Sequence, residues 1–362
     1  MDINSFNPQY AMKIRMLHSL SLILISIIIL YACNDKDIEK QPQSGLLYKS
    51  LFYQDLNLTD LTGLVEGDFD LHIGKSIGIL DQLSLSIIDY HSKKLIKQIP
   101  FDNLKTSILL PSVIFNVEKE PFVILSKGES NCRLLDAYGN TKWKYHPLKD
   151  EFAYSTTACD LDNNGKPEIY VATNIGLYRL KINGGEPLKL INDKIYRVET
   201  LINDKGLNTI SFLTSNNHFK SMDFHGNIIF DILLPKKIYD FEIVSWPANN
   251  SILTFSKENI YIIDLNGNIL IEYRLDKKIY SIKGTPVDFF NKSNPCLSIV
   301  AKFSSSIGKS MLLVFSAEGK LLYKELISST MAILPYKPKV GTNESLLVGN
   351  GPGKVYEYTI TP

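Results

Sequence analysis

After residue 33, helical periodicity is almost absent, and apolar positions alternate with polar ones in short runs bounded by turn residues. Six stretches share one plan: LSIIDYHSKKLIKQI (85–99), CRLLDAYGNTKWKY (132–145), LYRLKINGGEPLKLI (177–191), FKSMDFHGNIIFDI (219–232), IYIIDLNGNILIEYRL (260–275) and LLVFSAEGKLLYKEL (312–326). Each is an alternating strand, a turn and a second alternating strand. Asp89, Asp136, Ile182, Asp223, Asp264 and Ser316 hold the same turn position, and Gly139, Gly185, Gly226, Gly267 and Gly319 stand three residues after the last five. An aspartate there hydrogen-bonds the turn backbone, and a glycine three residues on accepts the positive φ that closes a short hairpin. Turn chemistry thus sets the register.

The hairpins recur every 41 to 52 residues, and a partial seventh copy, VYEYTI (355–360), ends the pattern. That period is one four-stranded blade, so the expectation is an all-β chain folded as a seven-bladed β-propeller of antiparallel blades over residues 46–362. Two further strand-like runs precede each hairpin, as in STTACDLD and PEIYVAT before the third. The seventh copy lacks a fourth strand. The alternating run from Leu47 to Tyr53 is available to supply it, which would close the ring and remove its open edges. The alternative is a separate N-terminal strand with an imperfect eighth blade. The turn with Asp136, Gly139 and Trp143 resembles the pyrroloquinoline-quinone-like propeller repeat, a likeness to the wider superfamily because blade two alone keeps the tryptophan.

One loop departs from the common turn. Residues 160–169, DLDNNGKPEI, resemble the acidic loop of FG-GAP or VCBS-type propeller repeats, which implies a calcium ion between the first two strands of blade three. The side chains of Asp160, Asp162 and Asn164, the carbonyl of Lys166 and the carboxylate of Glu168 would supply the oxygen shell, with Gly165 turning the backbone. The alternative is a β-turn held by Asx hydrogen bonds. Three acids within nine residues repel one another without a cation, which favours calcium in a structural role. GDFD (67–70) is at most a remnant of such a loop, and GTNES (341–345) lacks the acids.

The N-terminus breaks the β pattern altogether. Lys13 and Arg15 precede an almost wholly apolar run from Leu17 to Leu30, followed by Tyr31, Ala32 and Cys33. This reads as an export segment rather than globular structure. A small residue before a lone cysteine resembles the bacterial lipoprotein signal, which implies cleavage after residue 32, acylation of Cys33 and attachment to a membrane of the cell envelope, here expected to be the outer membrane. An uncleaved signal anchor is the alternative. Residues 33–45 are polar and suit a flexible tether, and their charged residues behind Cys33 resemble the surface-export signal of Bacteroidetes lipoproteins.

Composition removes several functions. With 39 Lys and Arg against 38 Asp and Glu, the chain has no electrostatic case for nucleic acid. Cys132, Cys159 and Cys296 are an odd set without metal spacing; Cys132 and Cys159 could pair in an oxidising compartment, and buried small residues are the simpler reading. His72, His91, His146, His218 and His225 show no metal-ligand spacing. GNGPGK (349–354) lacks the gap and the Ser or Thr of a phosphate loop. Trp246, in SWPANN between the first two strands of blade five, is the candidate for a ligand-contact loop, with packing in the core or between blades the simpler reading. No catalytic residue is assigned. The sequence therefore points to a non-catalytic binding or scaffold lipoprotein whose partner is an envelope protein or a glycan. A propeller enzyme, a polysaccharide lyase or quinoprotein dehydrogenase, is the alternative, and a rigid spacer a third reading.

Overall fold

Seven four-stranded antiparallel sheets make up the described part of the chain. In the computed structural model residues 46–360 are described, except 56, 59–60, 68, 70–74, 82–83, 102–109, 118–119, 128–131, 137, 146–150, 203–207, 239, 292–293, 304–307, 339–341 and 351–352, with backbone alone for 110–117 and 120–127. The export segment, Cys33, the tether, His72, His146 and parts of the GDFD, GTNES and GNGPGK stretches lie outside the described residues.

Blade one is β2 (Leu61–Gly67), β3 (Ser76–Asp81), β4 (Ser84–Asp89) and β5 (Leu95–Pro100). Blade two is β6 (Leu110–Val117), β7 (Glu120–Lys127), β8 (Cys132–Leu135) and β9 (Thr141–Tyr145). Blade three is β10 (Ala153–Cys159), β11 (Glu168–Thr173), β12 (Leu177–Leu180) and β13 (Leu188–Ile191). Blade four is β14 (Ile195–Ile202), β15 (Asn208–Thr214), β16 (His218–Met222) and β17 (Ile228–Leu233). Blade five is β18 (Phe241–Ser245), β19 (Asn250–Ser256), β20 (Asn259–Asp264) and β21 (Ile269–Arg274). Blade six is β22 (Ile279–Val287), β23 (Cys296–Phe303), β24 (Lys309–Phe315) and β25 (Leu321–Ser328). Blade seven is β26 (Ile333–Tyr336), β27 (Ser345–Gly349) and β28 (Lys354–Ile360), completed by β1 (Leu47–Gln54).

The first strand of each blade touches the first strand of the next, and β26 touches β2, so the seven form a closed inner ring. Position in the blade sets the pattern of burial. Middle strands are covered on both faces, as in β3 and β23, while outermost strands such as β17 and β21 are largely exposed. Consequently the middle strands read as continuous apolar runs and the outer ones as alternation. Seven buried clusters hold the blades together, one at each blade boundary. Cys132, Cys159 and Cys296 are free thiols within them.

The hairpin turns of blades two, four, five and six form as their residues require, whereas in blade three the turn sits one residue before the expected Ile182 and Gly185, with the Gly184 N–H donating to the Lys181 carbonyl at 2.9 Å. In blades two, four and five the glycine N–H donates to the aspartate carbonyl, from Gly139 to Asp136 at 3.0 Å, Gly226 to Asp223 at 3.1 Å and Gly267 to Asp264 at 3.0 Å. The glycines take φ of 86°, 85° and 89°. One Asp264 oxygen accepts from the backbone of Asn266 (2.9 Å) and Asn268 (2.8 Å), and the other from the Asn268 side chain (2.8 Å). Asn140 and Asn227 repeat that return contact to Asp136 and Asp223.

Ring closure is the expected one: β1 is the fourth strand of the last blade, paired from Leu47 opposite Ile360 to Gln54 opposite Lys354. Phe52 is displaced there by a bulge and packs edge-on against Tyr336 at 5.1 Å. Ion pairs clasp both sides of the seam: Lys49 meets Glu325 of blade six at 3.0 Å, and Lys93 of blade one meets Glu357 of β28 at 3.1 Å. Tyr90 and Tyr336 cross the same boundary, each hydroxyl bonded to backbone of the other blade.

Gly353 is where the seam tolerates nothing larger. Its φ is 61° and an added Cβ would stand 1.6 Å from the Asp55 carbonyl oxygen. Gly353→Ala is expected to destabilise the protein by roughly 2 kcal/mol or more, read as a lower urea midpoint. Asp264 gives a pH test. Burial opposes its ionisation, but the hydrogen bonds from Asn268 and Asn266 outweigh it and hold the carboxyl below the ordinary 3.8. A depressed folded value stabilises above the unfolded value and is lost as pH falls through the folded one. The melting-temperature advantage of wild type over Asp264→Asn is therefore expected near neutrality and should shrink as pH drops below 3.8.

Candidate sites: the acidic loop, the inner ring and the two loop faces

The acidic loop joins β10 to β11 and is knit by its own side chains. Asp160 accepts from the amides of Asn164 (3.0 Å) and Gly165 (2.7 Å). Asp162 accepts from the Asn164 amide (3.2 Å) and side chain (2.7 Å), and Asn164 Oδ1 accepts from the Lys166 amide (2.8 Å). Asn163 and Gly165 take φ of 56° and 80°, the left-handed values this winding needs. Asn208 of blade four ties the loop down by donating to the Asp160 carbonyl at 3.1 Å.

Asp160, Asp162 and Asn164 are thus brought together, and Glu168, the first residue of β11, lies close enough to feel the charge of Asp162. Its Oε2 is buried without a hydrogen-bond partner. Burial, and next the charge of Asp162, push its carboxyl above the ordinary carboxylate range. The donor chemistry suits a hard cation, and an orphaned carboxylate oxygen would gain most from one. The Asp160 and Asp162 oxygens, however, are aimed at loop amides, and among the described residues no group of three or more His, Cys, Asp or Glu side chains gathers in metal-holding geometry.

Trp246 is not in a ligand loop. It is 2% exposed, packs in the cluster between blades five and six, and spends its indole N–H on the Pro295 carbonyl at 3.0 Å. The peptide bond to Pro247 is cis. Of the ligand contact and the packing between blades that the sequence left open, the packing is what the fold realises, because the neighbouring blade covers the ring. His91 and His225 lie in hairpin turns beside Tyr90 and Phe224, and His218 Nδ1 is 2.6 Å from Asp231.

The inner ring holds a charged network that the hairpin repeat does not announce. Arg197 and Glu199 of β14 pair with each other, and Arg197 Nε is 3.6 Å from Asp240. Glu199 Oε2 accepts the amide of Ile243 in β18 at 2.9 Å. One blade further on, Glu242 Oε2 accepts the amide of Gly284 in β22 at 2.5 Å. Each carboxylate thus satisfies an edge amide of the next innermost strand, which has no strand partner on that side. Burial raises the Glu242 carboxyl to about 7, with Lys283 opposing and Glu199 adding to the shift. Its trace in the sequence is charge at alternate positions, Arg197 with Glu199 and Asp240 with Glu242.

Strands alternate in direction within a blade, so loops after the first and third strands leave at one end and the others at the opposite end. Contacts between blades join like ends. On one face Asn250 donates to the Ile202 carbonyl at 2.7 Å, and Trp246 to Pro295; on the other the rings of Tyr154 and Tyr196 are 6.1 Å apart. The first, or turn face, carries the acidic loop and the Asp–Gly turns. The strand β1 also begins there, since Leu47 lies opposite Ile360 at the end of β28.

No protein-family model matches the chain, and no curated protein is significantly similar to it. Solved structures are. BBS1N, crystallised in complex with ARL6DN and soaked with lead, aligns over 87% of this chain and 97% of its own with a TM-score of 0.56 at 10% identity. The mercury-soaked crystal of that complex gives 0.55 at 10% identity over 87% and 95%. A Bacteroides caccae protein of unknown function aligns with a TM-score of 0.42 at 12% identity over 69% and 94%. The likeness to BBS1N is one of fold, and that fold is the β-propeller.

Proposed function

We propose that this chain is a non-catalytic binding or scaffold module of the bacterial cell envelope, held to the outer membrane by an acylated Cys33 and the tether 33–45, with residues 46–362 as its propeller. The observation that carries the reading is the closed ring, in which strands and inner edges are engaged with neighbouring blades and two sets of loops are left for recognition. The propeller BBS1N was crystallised with a protein, ARL6DN, which supports a protein partner here in preference to a glycan.

Crosslinking the full lipoprotein in its native envelope, followed by affinity purification and mass spectrometry of proteins and glycans, tests the reading. A stoichiometric protein partner is the expected result. Release of unsaturated sugars or reduction of an electron acceptor by the purified protein would replace it with the enzyme reading.

Calcium is the ion the acidic loop would take, through Asp160, Asp162, Asn164, the Lys166 carbonyl and Glu168, with a structural role between β10 and β11. The buried, unpartnered Glu168 oxygen supports it; binding would draw the exposed Asp162 and half-buried Asp160 away from their loop amides. Chelator is expected to lower the melting temperature of wild type and leave that of Asp160→Ala unchanged. Equal melting curves for wild type with calcium and with chelator would mean that the Asx-bonded turn stands without an ion.

A further inference from the structure

A second repeat lies on the face opposite the hairpin turns. Lys194-Ile195-Tyr196, Lys237-Ile238-Tyr239 and Lys278-Ile279-Tyr280 open blades four, five and six. The isoleucines are anchors, 0%, 1% and 3% exposed. In blade four pairing passes from Ile195 to Arg197, and in blade six from Ile279 to Ser281, so the tyrosine is the extra residue of a β-bulge. Blade three does the same at Tyr154. A bulge re-aims one side chain without breaking the strand.

What the bulges present is aromatic and basic together. Tyr280 is 68% exposed. The Lys194 ammonium lies 5.4 Å and 5.0 Å from the ring centres of Tyr154 and Tyr196. Lys236, Lys237, Lys257, Lys277 and Lys278 are exposed in the loops of the same face. Four acids share those loops: Asp193 accepts from Ser215, Asp240 faces Arg197, Glu258 pairs with Arg274, and Asp276 is exposed. The six lysines, Lys194 included, outnumber those four acids, so these loops carry a net positive charge around the tyrosines.

We propose that this face, from Tyr154 in blade three to Tyr280 in blade six, is the docking surface of the propeller, and that its occupant is an acidic segment of a protein partner. Lysines supply the charge complement and set the approach, while tyrosines supply contact area with a polar end. The proposal rests on the binding-module reading.

The test places a photoreactive benzoylphenylalanine at Tyr280 or, separately, at Tyr138, which is 71% exposed on the turn face, in the full-length protein in its native cells. The expected result is one protein adduct from position 280 and none from 138, mapped to a peptide rich in Asp and Glu. Combined Lys237→Glu and Lys278→Glu should cut its yield roughly tenfold. Combined Lys94→Glu and Lys320→Glu, on the turn face, should leave it unchanged, with melting curves showing all variants folded. An adduct from 138 alone overturns the assignment of the face and leaves the binding reading standing. An adduct from 280 that ignores charge reversal, or that maps to a glycan or a neutral peptide, overturns the acidic occupant. No adduct from either position, with folded variants, counts against the binding reading itself.

Discussion

The pairing of β1 with β28 is the constraint on which the architecture depends. A propeller blade buries both faces of its middle strands only if a blade stands on each side, and the first and last blades gain that second neighbour only when the ring shuts. Shutting it through a strand from the other end of the chain makes blade seven a joint product of both ends. The clasps around it follow from that position: Lys49 to Glu325 and Lys93 to Glu357 tie the closing blade to the blades before and after it. These are partly exposed pairs, each contributing about 1 kcal/mol or less, so they position the seam more than they stabilise it. The apolar contacts of Phe52, Tyr90, Tyr336 and Leu347 carry the stability there.

A second requirement, satisfaction of backbone polar groups, is met differently at the rim and at the centre. In the hairpin turns the donors are local, and an aspartate of the same turn takes them. In the inner ring the donors sit on the free edge of a strand, and the acceptor comes from the blade before, as Glu199 does for Ile243 and Glu242 for Gly284. The first solution uses half-buried carboxylates whose hydrogen bonds favour the ionised form. The second encloses carboxylates among Arg197, Asp240 and Lys283, which is why burial raises Glu199 and Glu242 while the turn aspartates are lowered.

Most of the fold was legible because its information is local. Asp136 and Gly139, or Asp264 and Gly267, specify a hairpin from within five residues, and the repeat of that hairpin counts the blades. Leu47 to Tyr53 could be matched to the incomplete blade since one strand was missing and one was spare. Other features depend on what a neighbouring blade covers. For Trp246 a ligand contact and packing between blades both stay open until blade six is seen to bury it. The inner network escaped because its partners are one blade apart, at 44 residues for Glu199 and Ile243, a distance at which charge patterns in a single strand say nothing. The bulged tyrosines escaped because a bulge is a fact of pairing, visible only once Ile195 and Arg197 are known to face consecutive residues of β15. At the acidic loop the sequence shows which residues carry oxygen donors, while their aim depends on the Asx bonds that compete for them.

The closing strand also orders events in time. The residues of β1 are the first of the propeller to be made, and those of β28 the last, so a strand that carries the exposed Tyr48 and Leu51 must wait for a partner about 300 residues downstream. Bringing ends that far apart together costs chain entropy that no hairpin within a blade has to meet. Blades one to six can collapse against one another as they form, whereas the joint between first and last comes only at the end, and until then the arc keeps an open edge at each side. Folding of this chain is therefore governed less by how well any blade forms than by how long its first strand stays available.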